Sequence, residues 1–313
     1  MGVTRLPIIR RDLLLLSLAA ASWGVGTVVS KRAVDEFPPF TLLTIQLAAS
    51  LAILAILMRV SGLSLRGSPT LLGRLGILNP GVAYGLGLLG LTYISASMSV
   101  LLWALEPLLI LLLAGIFLGE WITPRFVVLS LVAALGMSLV VFDPASSGQW
   151  PGVVLTLAGI VCCAAYTVIA RRFVAAADST AQVVLAQQAH ALGFAIVVLA
   201  VVAVVGGPVG PQGLSPLGLT SAIVSGVLYY AAAYWLYLGA LRTVPASYAA
   251  TSFYLIPVFG VAAGVLLLGD QFDPVQWLGV AVVVAAVSSI VRLSTRREAH
   301  EPRPRPAVAQ EST

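Results

Sequence analysis

Glu106 is the acidic residue with the most unusual position, because it lies about nine residues inside a long apolar stretch. Burying a carboxylate there in its charged form costs roughly 2.5 kcal/mol or more. Such a group can bind a cation or an amine, or it can be protonated and exchange that proton. The alternative is a protonated carboxyl that only makes a structural hydrogen bond.

Aromatic side chains form a second group of candidates, and several of them fall in the middle of apolar stretches. In membrane helices tyrosine and tryptophan usually lie near the ends, and a buried hydroxyl needs a hydrogen-bond partner. These rings therefore either line a polar cavity or pack between helices. The set is Trp23, Tyr84, Trp103, Tyr230, Tyr234, Phe253 and Tyr254.

Two glutamines and two prolines complete the candidate site. Gln46 and Gln187 lie within apolar stretches, where a hydrogen bond between helices is the usual role and a solute contact is the alternative. Pro107 and Pro257 each remove a backbone donor and are expected to kink a helix. We consider them either as hinges beside a cavity or as kinks needed only for packing.

Several kinds of catalytic chemistry have no support in the residues. His190 and His300 have no suitably spaced metal-ligating partners, so we expect no metal and no cofactor. Cys162 and Cys163 are adjacent and cannot form an ordinary disulfide, so they are expected to be inert buried thiols. The zinc motif His-Glu-x-x-His and the hydrolase motif Gly-x-Ser-x-Gly are both absent. An enzyme is therefore not expected.

Composition indicates which elements position these candidates. Hydrophobic residues make up 59% of the 313 residues, charged residues 9%, and the mean hydropathy is +1.02. A soluble domain carries about 25% charged residues, so the chain is expected to lie in a bilayer. Although the isoelectric point is about 9.5, the basic residues are scattered singly, and no nucleic-acid partner is expected. The predicted spans are 13–30, 40–58, 71–92, 97–118, 125–142, 151–170, 182–205, 218–241, 247–268 and 275–293.

An internal repeat organises these spans. When residues 91–140 are moved forward by 150 positions, ten of fifty residues coincide, including Pro107 with Pro257 and Ser97 with Ser247. The repeat predicts a first unit at 12–142 and a second at 151–293, followed by a disordered cytoplasmic tail at 294–313. The predicted fold is an all-α polytopic membrane protein, with ten transmembrane helices arranged as two inverted five-helix repeats.

The distribution of basic residues predicts the orientation. If both termini lie on one side, that side carries fifteen of the 17 lysines and arginines, and the other side carries only Lys31 and Arg32. The positive-inside rule then places both termini in the cytoplasm, in a multi-pass protein of the cell membrane. Because each repeat has an odd number of helices, the second repeat enters the membrane upside down.

The motifs resemble one known family. Ser22-Trp23-Gly24 followed by Ser30-Lys31 resembles the first-helix motif of EamA-type carriers, of the drug/metabolite transporter superfamily. Pro107 followed by Leu118-Gly119-Glu120 resembles the signature between their fourth and fifth helices, and Pro257 with Leu268-Gly269-Asp270 repeats it. The resemblance implies an inverted-repeat fold and small-solute transport, commonly export. Gln46 stands where the family often has an arginine, so a fixed positive charge is missing.

From these observations we expect a secondary transporter that moves a small metabolite or drug-like solute by alternating access, as an exporter. The alternatives are an intramembrane enzyme and a channel-like pore, and the helices lack the continuous polar ring that a pore needs. The expected partners are the solute and the lipid bilayer, with a proton as candidate coupling ion. Solute identity and the choice between monomer and homodimer stay open.

Overall fold

The computed structural model describes residues 10–64, 70–103, 105–118, 124–141, 149–174, 179–241 and 251–300. Within these ranges the chain forms helices joined by short turns, and no β-strand occurs in them. The α-helices are α1 Arg10–Val34, α2 Pro39–Val60, α3 Thr70–Gly76, α4 Ala83–Leu91, α5 Ala96–Trp103, α6 Glu106–Leu118, α7 Pro124–Val141, α8 Trp150–Val174, α9 Thr180–Val204, α10 Pro216–Gly226, α11 Ala233–Leu241, α12 Ile256–Ala263 and α13 Pro274–His300. The prediction of an all-helical chain is confirmed for this part of the protein.

Several of these helices have the dimensions of membrane spans. Within the described ranges, five segments are long and apolar enough to cross a bilayer, which takes about 20 residues. They are Arg11–Val34, Pro39–Val60, Trp150–Ala170, Ala181–Val204 and Pro216–Tyr237. Shorter apolar helices include Ile256–Leu268 and Pro274–Ala286. The molecule therefore has the structure expected of a polytopic membrane protein.

Three π-helical segments occur in the described ranges; one, Gly264–Leu268, follows α12, and the other two lie 150 residues apart in the sequence. The segment π1, Ile77–Val82, joins α3 to α4, and π2, Val227–Ala232, joins α10 to α11. In π1 the kink centres on Asn79 (φ −143°, ψ 119°), which precedes Pro80 by a cis peptide bond. No proline occurs in π2. The π-helical deformation at this position therefore does not depend on a proline.

A glycine immediately before each π segment lies against the backbone of another helix. A Cβ on Gly226 would lie 2.5 Å from the carbonyl oxygen of Gln46 in α2, and one on Gly76 would overlap the backbone of Gln187 in α9. Such separations are far below ordinary contact distances, so only glycine fits at either crossing. The two crossings bring the backbones of α2 and α10, and of α3 and α9, into direct contact.

Pro107 and Pro257 occupy a different local structure from the kinked helices predicted for them. The apolar stretch around residue 106 is two helices, α5 ending at Trp103 and α6 beginning at Glu106, so that Pro107 is the second residue of α6. Pro257 is likewise the second residue of α12, which follows a 3-10 turn at Thr251–Leu255. A first-turn amide has no partner inside its helix, so proline costs little there. Each proline therefore lies in the first turn of a new helix, where a kink within one continuous helix was expected.

Two further boundaries differ from the prediction. The span predicted at 71–92 is bent at π1, because the sequence reasoning gave no weight to Pro80. The last helix continues to His300, beyond the predicted end at 293, since residues 294–300 contain no proline or glycine to stop it. Residues 301–313 of the predicted tail lie outside the described part of the chain.

One end of the bundle is formed by described turns and will be called the Lys31 end. It carries the turns at 35–38, 92–95, 205–215 and 269–273, and Lys31 lies beside them near the end of α1. Two of these turns contain glycines with positive φ, Gly206 at 76° and Gly269 at 71°. Such values favour glycine because it has no Cβ. They allow the chain to leave a helix and turn sharply at this end.

The close crossing at Gly226 generates a test of the packing. We expect Gly226→Ala to destabilise the protein by about 1–3 kcal/mol, the usual cost of overfilling a packed interior. The measurement is thermal unfolding of the purified protein in detergent. Gly193→Ala is the matched control, because a Cβ on Gly193 in α9 meets nothing within 4 Å, and alanine is the better helix former. Equal unfolding temperatures for the two variants would contradict the proposed contact.

Candidate functional site

A small central cavity lies where helices from both parts of the chain meet. Its volume is about 30 Å³, which is room for about one water molecule. The lining residues come from α1, α4, α5 and π2, and none of them is charged. They are Thr27, Ser30, Tyr84, Gly87, Leu88, Leu91, Ser99, Trp103, Tyr229 and Tyr230. The cavity must therefore expand before it can hold a metabolite.

Tyr84 is the centre of the aromatic group at this cavity. Its ring centroid lies 5.4 Å from that of Trp103, 5.0 Å from that of Tyr229 and 5.5 Å from that of Tyr230. The Tyr229 contact is edge-to-face at 88°, a favoured arrangement of aromatic pairs. The Tyr234 hydroxyl donates a hydrogen bond to the Tyr84 hydroxyl at 3.4 Å. Residues 84 and 234 are equivalent in the repeat, so like residues of the two copies meet here.

A second aromatic group surrounds Trp23. The Trp23 ring lies 5.6 Å from Tyr234, 5.6 Å from Tyr237 and 5.4 Å from Phe253, each in an edge contact. The indole Nε1 of Trp23 is buried and has no hydrogen-bond partner in the structure. An unpaired buried donor is costly, so this nitrogen is available to an acceptor that enters the site. Tyr234 belongs to both aromatic groups and joins them.

Glu106 lies at the beginning of α6, half-buried, rather than in the middle of a continuous helix. The amino end of a helix favours a nearby negative charge. The Cys163 thiol of α8 makes a side-chain hydrogen bond with the Glu106 carboxyl, and the Tyr84 hydroxyl makes one with Cys163. Glu106 is thereby connected to the Tyr84–Tyr234 pair. Cys163 has a place in this polar chain that the sequence reasoning, which treated it as an inert thiol, did not foresee.

The two predicted glutamines make hydrogen bonds between helices. Gln46 Nε2 donates to Ser30 Oγ at 2.9 Å and to Ser225 Oγ at 2.7 Å. Gln187 Oε1 accepts a hydrogen bond of 2.9 Å from the Tyr166 hydroxyl. Gln46 Oε1 and Gln187 Nε2 are buried without partners. Each side chain therefore joins helices and also keeps one unpaired polar atom.

Gln188 was not singled out for the site by sequence, yet it makes one of the closest polar contacts between helices. Its Nε2 donates to the carbonyl oxygen of Tyr230 at 2.7 Å, and its Oε1 accepts from Ser50 Oγ at 2.5 Å. Tyr230 lies within π2, where altered backbone bonding leaves carbonyls available to side chains. A glutamine adjacent to Gln187 in an apolar stretch was the signal that could have identified it.

The structure thus brings most of the predicted residues together. Trp23, Tyr84, Trp103, Tyr230, Tyr234 and Phe253 lie in the two joined aromatic groups. Tyr229 and Tyr237 were missed, although Tyr229 directly precedes Tyr230 and Tyr237 lies about one helical turn after Tyr234. The side chain of Tyr254 lies outside the described part of the structure. No group of three metal-ligating side chains occurs among the described residues.

A wider chamber opens at the Lys31 end. Its volume is about 480 Å³, and it is lined by Lys31, Arg32, Asp35, Glu36, Ser95, Leu268 and Asp270. The Lys31 ammonium donates a hydrogen bond of 2.8 Å to the carbonyl oxygen of Leu91. Leu91 and Ser30 line the central cavity, so this bond lies between the cavity and the chamber. Sequence reasoning had used Lys31 only as a marker of membrane orientation.

Comparison with known proteins places this architecture in a family. The model of the EamA-like transporter family matches residues 11–142 and 150–292. An uncharacterized transporter of Archaeoglobus fulgidus is 24% identical over 285 residues, which cover 89% of this chain and 98% of the relative. An uncharacterized transporter of Clostridium kluyveri is 23% identical over 72% of each chain.

A solved crystal structure of another protein extends the comparison to three dimensions. It covers 92% of this chain and 98% of its own chain with a TM-score of 0.68 and 19% identity. That likeness concerns the fold. Because the family model matches most of the chain, in two consecutive copies, this protein belongs to the EamA-like transporter family and is a membrane transporter.

Proposed function

We propose that the protein is a secondary carrier that moves a small amphipathic solute out of the cell by alternating access. The observation that carries this proposal is the central cavity, which is lined by α1, α4 and α5 from the first copy of the repeat and by π2 from the second. A cavity between two repeats becomes accessible from alternate sides when the repeats rock against each other. Its volume of about 30 Å³ corresponds to an occluded state of such a cycle.

The inverted-repeat arrangement is part of this proposal. Gly226 crosses the backbone of Gln46, and Gly76, its equivalent 150 residues earlier, crosses that of Gln187. These contacts are reciprocal, because each copy supplies the glycine once and the glutamine once. The equivalent pair Tyr84 and Tyr234 in hydroxyl contact also supports a two-fold axis between the copies. We assign the copies to 12–142 and 151–293, each with five membrane helices.

Orientation follows from the charges. With fifteen basic residues on the side of the termini and Lys31 and Arg32 on the other, both termini are cytoplasmic by the positive-inside rule. The Lys31 end is then the outer end, and the wider chamber of about 480 Å³ is the exit from the central cavity. A charged chamber on the outer side suits release of a solute into water. Export from the cell is consistent with this arrangement.

The lining residues limit the solute class. Rings and hydroxyls bind flat or amphipathic solutes through apolar contact with a few hydrogen bonds, and the indole Nε1 of Trp23 offers a free donor. The described residues that line the cavity include no lysine or arginine, which disfavours strongly anionic solutes. Glu106 would bind an amine or exchange a proton through the chain formed by Cys163 and Tyr84. A solute with an apolar body, an amine for the Glu106 carboxylate and a hydrogen-bond acceptor for the Trp23 indole satisfies all of these groups.

Counterflow tests carrier function against a pore. Proteoliposomes loaded with an unlabelled solute should take up the same labelled solute faster than empty proteoliposomes do, because a loaded carrier returns faster than an empty one. The probes are a panel of amino acids, nucleosides and organic amines, with protein-free liposomes as the control. Uptake that is equal with and without solute inside would contradict a carrier and favour a channel.

Glu106→Gln tests proton coupling, since it preserves size and hydrogen bonding but removes titration. If an amine and a proton compete for Glu106, the variant should lose accumulation driven by a pH gradient, because it offers no titratable group. The measurement is amine uptake into proteoliposomes with an imposed pH difference. Asp273→Asn is the control, because Asp273 lies in an exposed turn and accepts from the Gln276 backbone amide, as asparagine can. Coupling at the wild-type level in Glu106→Gln would exclude antiport through this residue.

A further inference from the structure

The Lys31 end contains two contacts of the same kind. In each, a carboxylate accepts two hydrogen bonds from a serine at the start of a helix. Ser215, the N-cap of α10, donates from its backbone amide to Glu36 Oε2 at 2.9 Å and from its hydroxyl to Glu36 Oε1 at 2.5 Å. Ser97, in the first turn of α5, donates from its amide and its hydroxyl to Asp270 Oδ2, at 3.1 and 2.6 Å. We call these the Glu36 clamp and the Asp270 clamp.

Each clamp joins the two copies of the repeat, and the copies exchange roles. Glu36 belongs to the first copy and accepts hydrogen bonds from a helix of the second. Asp270 belongs to the second copy and accepts hydrogen bonds from a helix of the first. Charge-assisted hydrogen bonds are stronger than neutral ones, and the amino end of a helix adds favourable electrostatics. The two clamps therefore hold the copies together at this end from opposite directions.

A glycine makes room for each clamp. A Cβ on Gly218 would overlap the Glu36 carboxylate, and a Cβ on Gly264 would overlap the Ser97 hydroxyl and lie 2.7 Å from Asp270 Oδ2. Neither glycine has a positive φ, so backbone conformation does not require either of them. Close approach of the carboxylate explains both.

The groups around the Glu36 carboxyl favour its ionised form, and further hydrogen bonds hold the two sides of this clamp together. The Ser215 hydroxyl and amide lower the pKa of the Glu36 carboxyl below its usual value, with a smaller contribution from Arg32. The carboxyl is therefore ionised at neutral pH. Two more bonds cross between the same turns, from the Gln212 amide to the Glu36 carbonyl oxygen at 2.8 Å and from the Thr41 hydroxyl to the Val209 carbonyl oxygen at 2.8 Å.

Residues of both clamps line the wider chamber, next to the contact between the chamber and the central cavity. Ser30 and Leu91 line the cavity, whereas Lys31, which follows Ser30 in the chain, lines the chamber together with Glu36 and Asp270. The hydrogen bond from Lys31 to the Leu91 carbonyl closes the neck between them. Asp35 and Asp270 both interact electrostatically with the Lys31 ammonium, so the Asp270 clamp and the neck share one carboxylate.

We infer that the Glu36 and Asp270 clamps form the gate at the Lys31 end, holding the carrier shut on this side until both release. Rocking of the two copies at this end must separate Glu36 from Ser215 and Asp270 from Ser97, because each pair spans the copies. Separation of Asp270 also frees Lys31 and opens the neck. The inference rests on the proposed alternating-access cycle, but it names the contacts that close one side of it.

Cysteine labelling tests the gate. Ser99, which lines the central cavity, is replaced by cysteine in a parent in which Cys162 and Cys163 are alanine. A charged, membrane-impermeant thiol reagent is then applied to the Lys31 end in sealed vesicles of known orientation. Glu36→Ala and Asp270→Ala should each raise the labelling rate roughly tenfold, which corresponds to about 1.4 kcal/mol, and the double variant should raise it further.

The controls separate the gate from other effects. Asp273→Asn removes a charge from an exposed turn of the same end, where Asp273 accepts a hydrogen bond from the nearby Gln276 amide, and it should leave the labelling rate near that of the parent. Folding of every variant is checked by its thermal unfolding temperature. Unchanged labelling from both membrane sides in the folded double variant would overturn the gate. Faster labelling only from the cytoplasmic side would support the gate and refute the proposed orientation.

A disulfide that replaces the Glu36 clamp tests the gate in the other direction, by holding it closed. Glu36→Cys with Ser215→Cys, in a parent in which Cys162 is alanine and the buried Cys163 is kept, should form a disulfide under mild oxidation, since the native side chains are in contact. Oxidation should then abolish transport, and a reductant should restore it. Full transport with the disulfide formed would overturn the gate while leaving carrier function intact. Loss of transport in the reduced form as well as in the parent would instead indicate a failure of the proposed function.

Discussion

Polar groups inside a bilayer must find their partners within the protein, because lipid supplies none. In this molecule several buried side chains meet that constraint by crossing from one copy of the repeat to the other. Gln188 of the second copy accepts a hydrogen bond from Ser50 of the first, and Gln46 of the first copy donates to Ser225 of the second. The glycine crossings at Gly76 and Gly226 bring the backbones close enough for these contacts. Some polar atoms near the central cavity stay unpaired, among them Gln46 Oε1 and Trp23 Nε1.

One candidate functional side chain, that of Glu106, has no chemical counterpart in the second copy of the repeat. Tyr84 and Tyr234 are equivalent and touch through their hydroxyls, whereas the equivalent of Glu106 is Ile256. Glu106 begins α6 and Ile256 begins α12, so the two helices restart in the same way and differ in chemistry. In the proposed function, the two copies rock with near two-fold symmetry while an acid from only one copy interacts with solute or proton.

Much of the organisation could be predicted from the sequence because it depends on hydrophobicity and helix breakers. Apolar stretches gave the helices, and the recurrence of Ser97, Pro107 and Gly119 after 150 residues gave the repeat. π2 could not be predicted from helix breakers, since it contains no proline, and the residue that contacts the adjacent Gly226 is Gln46, far away in sequence.

The types of residue at the candidate site could be predicted from the sequence, but the contacts between them could not. Tyrosines and a glutamate in apolar stretches had to be near a polar environment, and the structure groups them around Tyr84 and Tyr234. Nothing in the spacing indicated that Cys163 would lie between Tyr84 and Glu106. The Glu36 contact with Ser215 joins residues 179 apart, a pairing that only the fold defines.

The central claim is that the two copies rock about the cavity, and paired distance measurements test it most directly. Spin labels at Thr92 and Gln271 report on the Lys31 end, and labels at Ser61 and Ser179 report on the opposite end, in a cysteine-free parent in lipid nanodiscs. Electron–electron resonance should give two distance populations for each pair. Conditions that lengthen the Lys31-end distance should shorten the other. Distances that stay fixed, or that lengthen together at both ends, would contradict alternating access.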